Sequence, residues 1–142
     1  MREAILRGHV WLLATVMPLV VKLLPLKRVL AVVTPPEWLT PYAGIAPKRI
    51  GEIVRRRLRH VRVMRHRQCL RKGLTLFHLL RLAGVPAALH FGVFAPRPEQ
   101  DHMHAHCWVT VGEECLSDPP DAPVAVVLQH GCDVNAATNP GV

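Results

Sequence analysis

Three residues in the second half of the chain form a set that can carry out nucleophilic chemistry. Cys69 stands before apolar residues at helical spacing, so we expect it at the start of a helix, where the N-terminus favours a thiolate. His106 falls within a predicted strand and Asp118 on the following one. A thiolate nucleophile needs a histidine base that a third group holds in one tautomer. The set therefore predicts a Cys-His-Asp triad.

The start of the cysteine helix also bears on oxyanion binding. No Ser, Thr, Asp or Asn stands just ahead of Cys69 to cap the free N–H groups of the first turn. Those donors are then available to a developing oxyanion. Gln68 is a further candidate donor, and a solvent-facing or capping amide is the alternative interpretation of this residue.

The hairpin after the histidine strand decides whether His106 and Asp118 can meet. A three-residue loop at 112–114 places Trp108 opposite Asp118 and leaves His106 as its diagonal neighbour on the same face. A two-residue loop places Asp118 opposite Cys107, on the other face. The triad hypothesis therefore predicts a three-residue loop or a bulge at this point.

Each member of the set also has a plain structural interpretation. A cysteine at a helix start is often a small buried hydrophobic residue. A histidine on a strand is often only partly exposed, and Asp118, before Pro119 and Pro120, fits a turn position. Residue spacing alone leaves these alternatives open.

The elements that must position these residues predict an α+β fold. Apolar periodicity and proline breaks predict a helical first half: helix 3–33, broken near Pro18 or Pro25, a proline-rich linker 34–47, a basic helix 48–64 and a helix 69–83. Alternation and turn residues predict strands at 87–94, 104–111, 115–118 and, more briefly, 124–128. The helix that starts at Cys69 should pack on this small antiparallel sheet.

The same pattern suggests how the 142 residues are organised. We expect apolar helices and the linker over 1–47, a core domain over 48–130 that includes the basic helix, and a loose C-terminal tail over 131–142. Half of the residues are hydrophobic and 20% are charged, which excludes wholesale disorder.

Charge is divided unevenly along the chain. Residues 1–72 hold sixteen Lys/Arg and three acids, whereas residues 73–142 hold two Arg and seven acids. The basic helix lacks the interleaved aromatic residues that stack on bases, so we do not expect nucleic acid, although phosphate binding is an alternative. Arg55, Arg56 and Arg59 on this helix, and Trp108 on the histidine face, are candidate contacts for a substrate or a partner.

The N-terminal helix and the cysteines bear on localisation. Twelve apolar residues from Val10 to Val21 are fewer than the roughly 20 that span a membrane, and no small-residue cleavage site follows them. The helix is expected in the core or on a membrane surface, where Lys22, Lys27 and Arg28 would meet anionic head groups. Four cysteines without a C-x-x-C pair indicate reduced thiols in a cytoplasmic protein.

A metal site is a weaker alternative. His102, His104 and His106 alternate along the chain, and Cys107 and Cys115 lie nearby. These positions do not complete a recognised zinc spacing. We therefore expect no metal and no cofactor.

Several segments of the chain resemble one known family. The run from Cys69 to Leu76, the segment Leu79–Arg81 and the segments Gly84–Ala87 and Gly92–Val93 resemble the start of a transglutaminase-like, papain-like cysteine peptidase core. His106-Cys107-Trp108-Val109, followed by Asp118, resembles its histidine strand and aspartate. The most similar group is the leader peptidase of lasso-peptide biosynthesis in its stand-alone form, the second half of the split B protein.

The resemblance implies a function and partners. It implies a thiol protease with catalytic Cys69, His106 and Asp118, which cleaves the leader from a ribosomally made precursor peptide. It further implies a separate leader-recognition protein and a macrolactam-forming cyclase. Family members commonly have Ala where this chain has Cys107, and often Glu where it has Thr110, so substrate details are expected to differ. A non-catalytic scaffold or partner-docking subunit of the same maturation complex is the alternative.

Overall fold

A computed structural model describes residues 1–59, 68–95 and 104–131. Its described residues include helices in the first half and strands in the second. The helices are α1 (Arg2–Leu23), α2 (Leu26–Val33), α3 (Pro47–Arg59) and α4 (Gln68–Leu82). The strands are β1 (Ala87–Phe94), β2 (Ala105–Val111), β3 (Glu114–Cys115) and β4 (Val124–His130). They form one antiparallel sheet in the order β3-β2-β1-β4, which confirms the predicted α+β class.

The predicted break in the N-terminal helix falls at Pro25. Leu24 is extended, and Pro25, with a φ of −65° and a ψ of 152°, starts α2. Pro18 is contained within α1, which continues through it. The chain therefore turns between two helices at residues 24–25, and this elbow lies beside the site described below.

Helix α4 occupies the centre of the described fold. It packs against α1, α2, α3 and both central strands. Leu74, Phe77, Leu79 and Leu80 have no solvent exposure. The buried residues of α1 and α3 belong to the same hydrophobic cluster, and both helices pack on α4, which itself packs on the sheet.

The strands agree with the predictions in position but not in every boundary. Strand β1 has the predicted limits, β2 begins one residue later than predicted, and β4 runs on to His130. Strand β3 is shorter than the predicted 115–118 segment and covers only Glu114–Cys115.

The prediction of a three-residue loop in the hairpin is wrong. Val111 pairs with Glu114 and Thr110 with Cys115, so the loop consists of Gly112 and Glu113. Gly112 has a φ of +59°, a left-handed conformation that favours glycine and permits this tight turn.

Three predictions fall wholly or partly outside the described residues. The end of the predicted basic helix, 60–64, is one of them. The metal-site candidate His102 and the C-terminal tail from residue 132 onwards are the others.

Candidate functional site

Cys69 is the second residue of α4, as the sequence predicts. Its side chain is half-buried. The first turn of a helix has N–H groups without intrahelical acceptors, and their dipoles favour negative charge. The thiol therefore lies beside N–H groups that can bind a developing oxyanion.

Gly73 brings this end of α4 close to the sheet. A side-chain carbon on Gly73 would lie 2.7 Å from Cys107 Sγ and 3.3 Å from Leu89 Cδ1, far inside normal contact. Only glycine permits this approach of the helix to strands β1 and β2. The approach carries Cys69, one turn earlier, to the side of β2.

The neighbouring cysteines differ from Cys69 in their surroundings. Cys107 is almost fully buried, and this burial, reinforced by Cys69 nearby, raises the pKa of its thiol far above the usual value. Burial also raises the pKa of Cys115, whose Sγ donates to the Ser117 carbonyl at 3.0 Å. Both therefore stay protonated near neutral pH, and neither is suited to act as a nucleophile.

His106 lies on β2 and is half-exposed. Its Nε2 is 2.8 Å from the main-chain carbonyl oxygen of Asp118. A carbonyl oxygen can only accept, so Nε2 carries the hydrogen and Nδ1 is left as the proton acceptor. The ring stacks on Trp108, with centroids 5.8 Å apart and planes at 20°. The contact with Asp118 therefore fixes the tautomer that a general base requires.

Asp118 reaches His106 in spite of the two-residue loop. The ladder between β2 and β3 ends soon after Cys115, and Val109 N–H then donates to Ser117 Oγ instead of to a strand partner. Asp118 therefore no longer follows the register of the strand. The meeting of His106 and Asp118 does not depend on the loop length that we predicted.

The carboxylate of Asp118 points to a different partner. Its Oδ2 accepts from Lys72 Nζ at 2.7 Å. Lys72 follows Cys69 by three residues, so the two lie on neighbouring positions of one α4 face. Asp118 thus connects the two elements: its carboxylate contacts the cysteine helix and its carbonyl contacts the histidine. The sequence predicted Asp118 as the orienting group but not this use of the main chain.

Cys69 and His106 are not hydrogen-bonded to each other in the described part of the chain. Cys107 faces α4, and because side chains alternate along a strand, His106 points to the opposite face of β2. At His106 the described part of β2 has no partner on its β3 side, since β3 pairs only with residues 110 and 111. The ring can therefore approach the thiol only around this edge of the strand.

A pocket opens beside the Cys69 thiol. Its volume is about 590 Å³. Leu70 and Leu74 of α4 line one wall, and Phe91 and Cys107 of the sheet line another. The third wall comes from the elbow between α1 and α2, including Leu24 and Leu26.

The other predicted site residues lie in different surroundings. Gln68 is the exposed first residue of α4. Arg55, Arg56 and Arg59 are exposed on α3. The prediction that Trp108 offers a contact surface is wrong, because its ring lies between those of His90 and His106 and is only 7% exposed.

The metal alternative concerns the alternating histidines and the cysteines near them. Within residues 1–59, 68–95 and 104–131, no group of three or more His, Cys, Asp or Glu side chains is placed to hold a metal ion. His102 lies outside the described residues.

Sequence reasoning missed two components of the site. Lys72 shares a helix face with Cys69, and this spacing of three residues is the signal that could have identified it. The elbow between α1 and α2 carries no sequence sign of its position, because only packing brings it to the cysteine.

Comparison with known families agrees with this geometry. A model of the transglutaminase-like superfamily matches residues 7–128, most of the chain. The chain belongs to the transglutaminase-like superfamily, and its fold is that of a cysteine-peptidase-like protein. The superfamily generally includes cysteine peptidases and transferases. No curated protein and no solved structure gives a significant match to the chain.

Proposed function

We propose that this protein is a cysteine peptidase that removes the leader from a ribosomally synthesised lasso-peptide precursor. The observation that carries the proposal is the position of Cys69 at the start of α4, beside a pocket, with the His106–Asp118 pair tied to the same helix through Lys72. Membership of the transglutaminase-like superfamily supports the reaction class. The resemblance of the segments around Cys69 and His106 supports the substrate class.

The mechanism follows from the roles of three residues. His106, once moved to the thiol, takes the proton of Cys69 on Nδ1, the nitrogen that the contact of Nε2–H with the Asp118 carbonyl leaves as the acceptor. The thiolate attacks the scissile carbonyl, and N–H groups at the start of α4 stabilise the oxyanion. Protonated His106 then gives its proton to the leaving amine, and water hydrolyses the acyl-enzyme.

The reaction requires His106 to move towards Cys69. The ring is half-exposed and lies at the edge of β2 that is unpaired within the described residues, so a path to the thiol is open to it. The movement requires the ring to leave its contacts with Trp108 and Phe94. Catalytic hydrogen bonds are often long in free enzymes and shorten in the substrate complex. We infer that a bound precursor, presented by a separate leader-recognition protein, draws the ring to the thiol before a macrolactam-forming cyclase acts on the product.

The experiment is intact-mass analysis of a precursor peptide incubated with its leader-recognition protein and this chain. We expect the wild type to release the leader, and Cys69→Ala to slow release by at least about 10³-fold because the nucleophile is lost. Cys115→Ala is the matched control, since the Cys115 thiol is held protonated by its surroundings. It should retain wild-type activity.

One observation favours a second candidate function. The missing Cys69–His106 contact also fits a non-catalytic scaffold that docks partners through its basic helix α3. Equal leader release by wild type and Cys69→Ala would support the scaffold. Full activity without the leader-recognition protein would contradict the partner dependence alone.

A further inference from the structure

Most of the side chains that line the pocket beside Cys69 are apolar. The elbow contributes Val21, Leu24, Leu26 and Val29. Across from it lie Leu70 and Leu74 of α4, and Phe91 and Ala105 of the sheet. Its polar lining is limited to His104 and the two thiols, and no acid, lysine or arginine is among the described lining residues.

We propose that this pocket holds an apolar side chain of the substrate next to the scissile bond. The inference rests on the proposed function, because it takes Cys69 as the nucleophile. A thiolate in contact with a carbonyl places the flanking substrate residues within a few ångströms, and Cys69 itself lines this pocket. A volume of about 590 Å³ falls within the range of small-ligand sites, so it admits a large aliphatic or aromatic group.

The lining favours an apolar occupant over a charged one. A substrate carboxylate or ammonium would lose hydration against leucine, valine and phenylalanine side chains, with only His104 and the thiols as ionisable partners among the described lining residues. The residues of the elbow therefore contribute to the selection of apolar substrate side chains. Helices α1 and α2 thus belong to the substrate site as well as to the core.

The test measures how fast Cys69 reacts with two maleimides, one carrying a benzyl group and one a carboxymethyl group. Each rate is divided by the rate of the same reagent with glutathione, and the labelled Cys69 peptide is quantified by mass spectrometry. We expect the benzyl reagent to be favoured about tenfold, the low end for an apolar pocket. Leu26→Asp should remove this preference, and Val32→Asp, an exposed change on α2 outside the pocket, should keep it.

The possible outcomes test the pocket assignment and the proposed function separately. Equal normalised rates in the wild type, or the same loss in Val32→Asp, would overturn the pocket assignment. A benzyl preference without leader cleavage would leave the pocket standing and remove the proposed function.

A second inference rests on the solvent-facing side of α1. One face of this helix is buried, including Leu6, Val10 and Ala14. The other face is an exposed apolar stripe, which consists of Ile5, Leu12, Val16, Leu19 and Leu23. These residues recur at intervals of three, four and seven, so they lie along one line of the helix.

The charges around the stripe indicate its partner. Residues 4–36 contain no aspartate or glutamate, and Lys22, Lys27 and Arg28 follow the apolar stripe at the end of α1 and in α2. Apolar helix faces with basic flanks bind the surface of anionic bilayers. We propose that the α1 stripe binds an anionic membrane surface.

The helix binds at the surface and does not cross the bilayer. Within the described residues, α1 is long and apolar enough to cross a membrane by length and composition, with a mean hydropathy of 1.7 over 18 residues. Crossing would, however, pull Leu6 and Val10 out of the core. It would also break the hydrogen bond from buried Arg71 to the Ala14 carbonyl.

Vesicle flotation tests this surface. We expect the wild type to float with vesicles of phosphatidylcholine and phosphatidylglycerol in equal amounts and to remain behind with phosphatidylcholine alone. Leu12→Glu/Leu19→Glu should lose flotation. Val126→Glu/Val127→Glu, with the same charge change at exposed positions of β4, should keep it.

Failure of the wild type to float with anionic vesicles would overturn the membrane assignment. If light scattering then shows a dimer that Leu12→Glu/Leu19→Glu dissociates, the stripe binds a second copy instead. Flotation of both double variants would show that another surface binds the lipid.

Discussion

The two ends of helix α4 have different surroundings and different roles. At its N-terminal end Gln68 is exposed, Cys69 is half-buried and Lys72 pairs with a carboxylate. From Leu74 onwards most positions are fully buried in the core, Phe77 among them. Stability is therefore concentrated at one end, and the groups able to react are at the other. We therefore expect substitutions at the buried end of α4 to change the free energy of unfolding, and substitutions at its N-terminal end to change activity.

The largest effect on folding is expected at Phe77. Phe77→Ala removes a fully buried ring and should lower the free energy of unfolding by about 3–5 kcal/mol. Urea denaturation followed by circular dichroism measures this change. Leu12→Ala, at an exposed position of α1, should change it by less than about 0.5 kcal/mol. A small loss for Phe77→Ala would show that the core end of α4 does not carry the stability.

Gly73 lies at the boundary between the two ends, and its substitution should affect both properties. Gly73→Ala forces a methyl group against Cys107 Sγ and Leu89 Cδ1, so the helix must move away from the sheet. We expect a loss of about 1–3 kcal/mol in the free energy of unfolding, typical of overpacking. Leader cleavage should fall as well, because Cys69 moves with the helix.

The double variant Gly73→Ala/Cys107→Ala tests this explanation. Removal of the sulfur relieves the shortest contact, so the double variant should be less destabilised than the sum of the two single variants. Strict additivity would contradict a steric conflict between these two residues.

Lys72 tests the reactive end alone. Lys72→Met removes the ion pair with Asp118 and frees the segment that holds His106, so leader cleavage should fall about tenfold through lost positioning. The free energy of unfolding should change by no more than about 1 kcal/mol, since this ion pair is partly exposed. Lys48→Met, which removes the exposed ion pair with Glu114, is the matched control and should leave cleavage unchanged.

The smallest effect is expected when the pH is lowered, because two partly buried histidines near the core end of α4 then destabilise the fold. Burial lowers the pKa of His78, whose Nδ1–H donates to the Val33 carbonyl, and of His9 beside it, from the ordinary value of 6.5. At acidic pH the unfolded chain therefore binds more protons than the folded chain. The contribution of these histidines to the free energy of unfolding is fully present above pH 6.5 and declines as the pH falls below it. Melting temperatures at about pH 7.5 and about pH 5.5 should show the decline.

His78→Gln provides the comparison for this pH effect. It should reduce the dependence of the melting temperature on pH, whereas His104→Gln, an exposed change, should not. If the melting temperature of His78→Gln depends on pH as strongly as that of the wild type, the acid sensitivity arises from other histidines.

Much of the fold follows from local rules that the sequence displays. Gly84, with a φ of +72°, and Pro86 end α4 where a left-handed cap and a helix breaker are expected. Turn residues on either side of β1 gave its limits correctly, although its burial does not alternate strictly. Hairpin geometry was predicted less well, since the difference between two and three loop residues is small in energy and depends on the path of the chain after the turn.

The sequence by itself determined the class of the fold and the position of Cys69 at a helix start, because both follow from periodicity and capping over short distances. Only the tertiary structure decided that the Asp118 carbonyl, rather than its carboxylate, holds His106, and that the elbow between α1 and α2 forms a wall beside the thiol. Contacts between residues of different elements depend on how those elements pack. No local pattern records that packing, and here it rests on the close approach of Gly73 to Cys107.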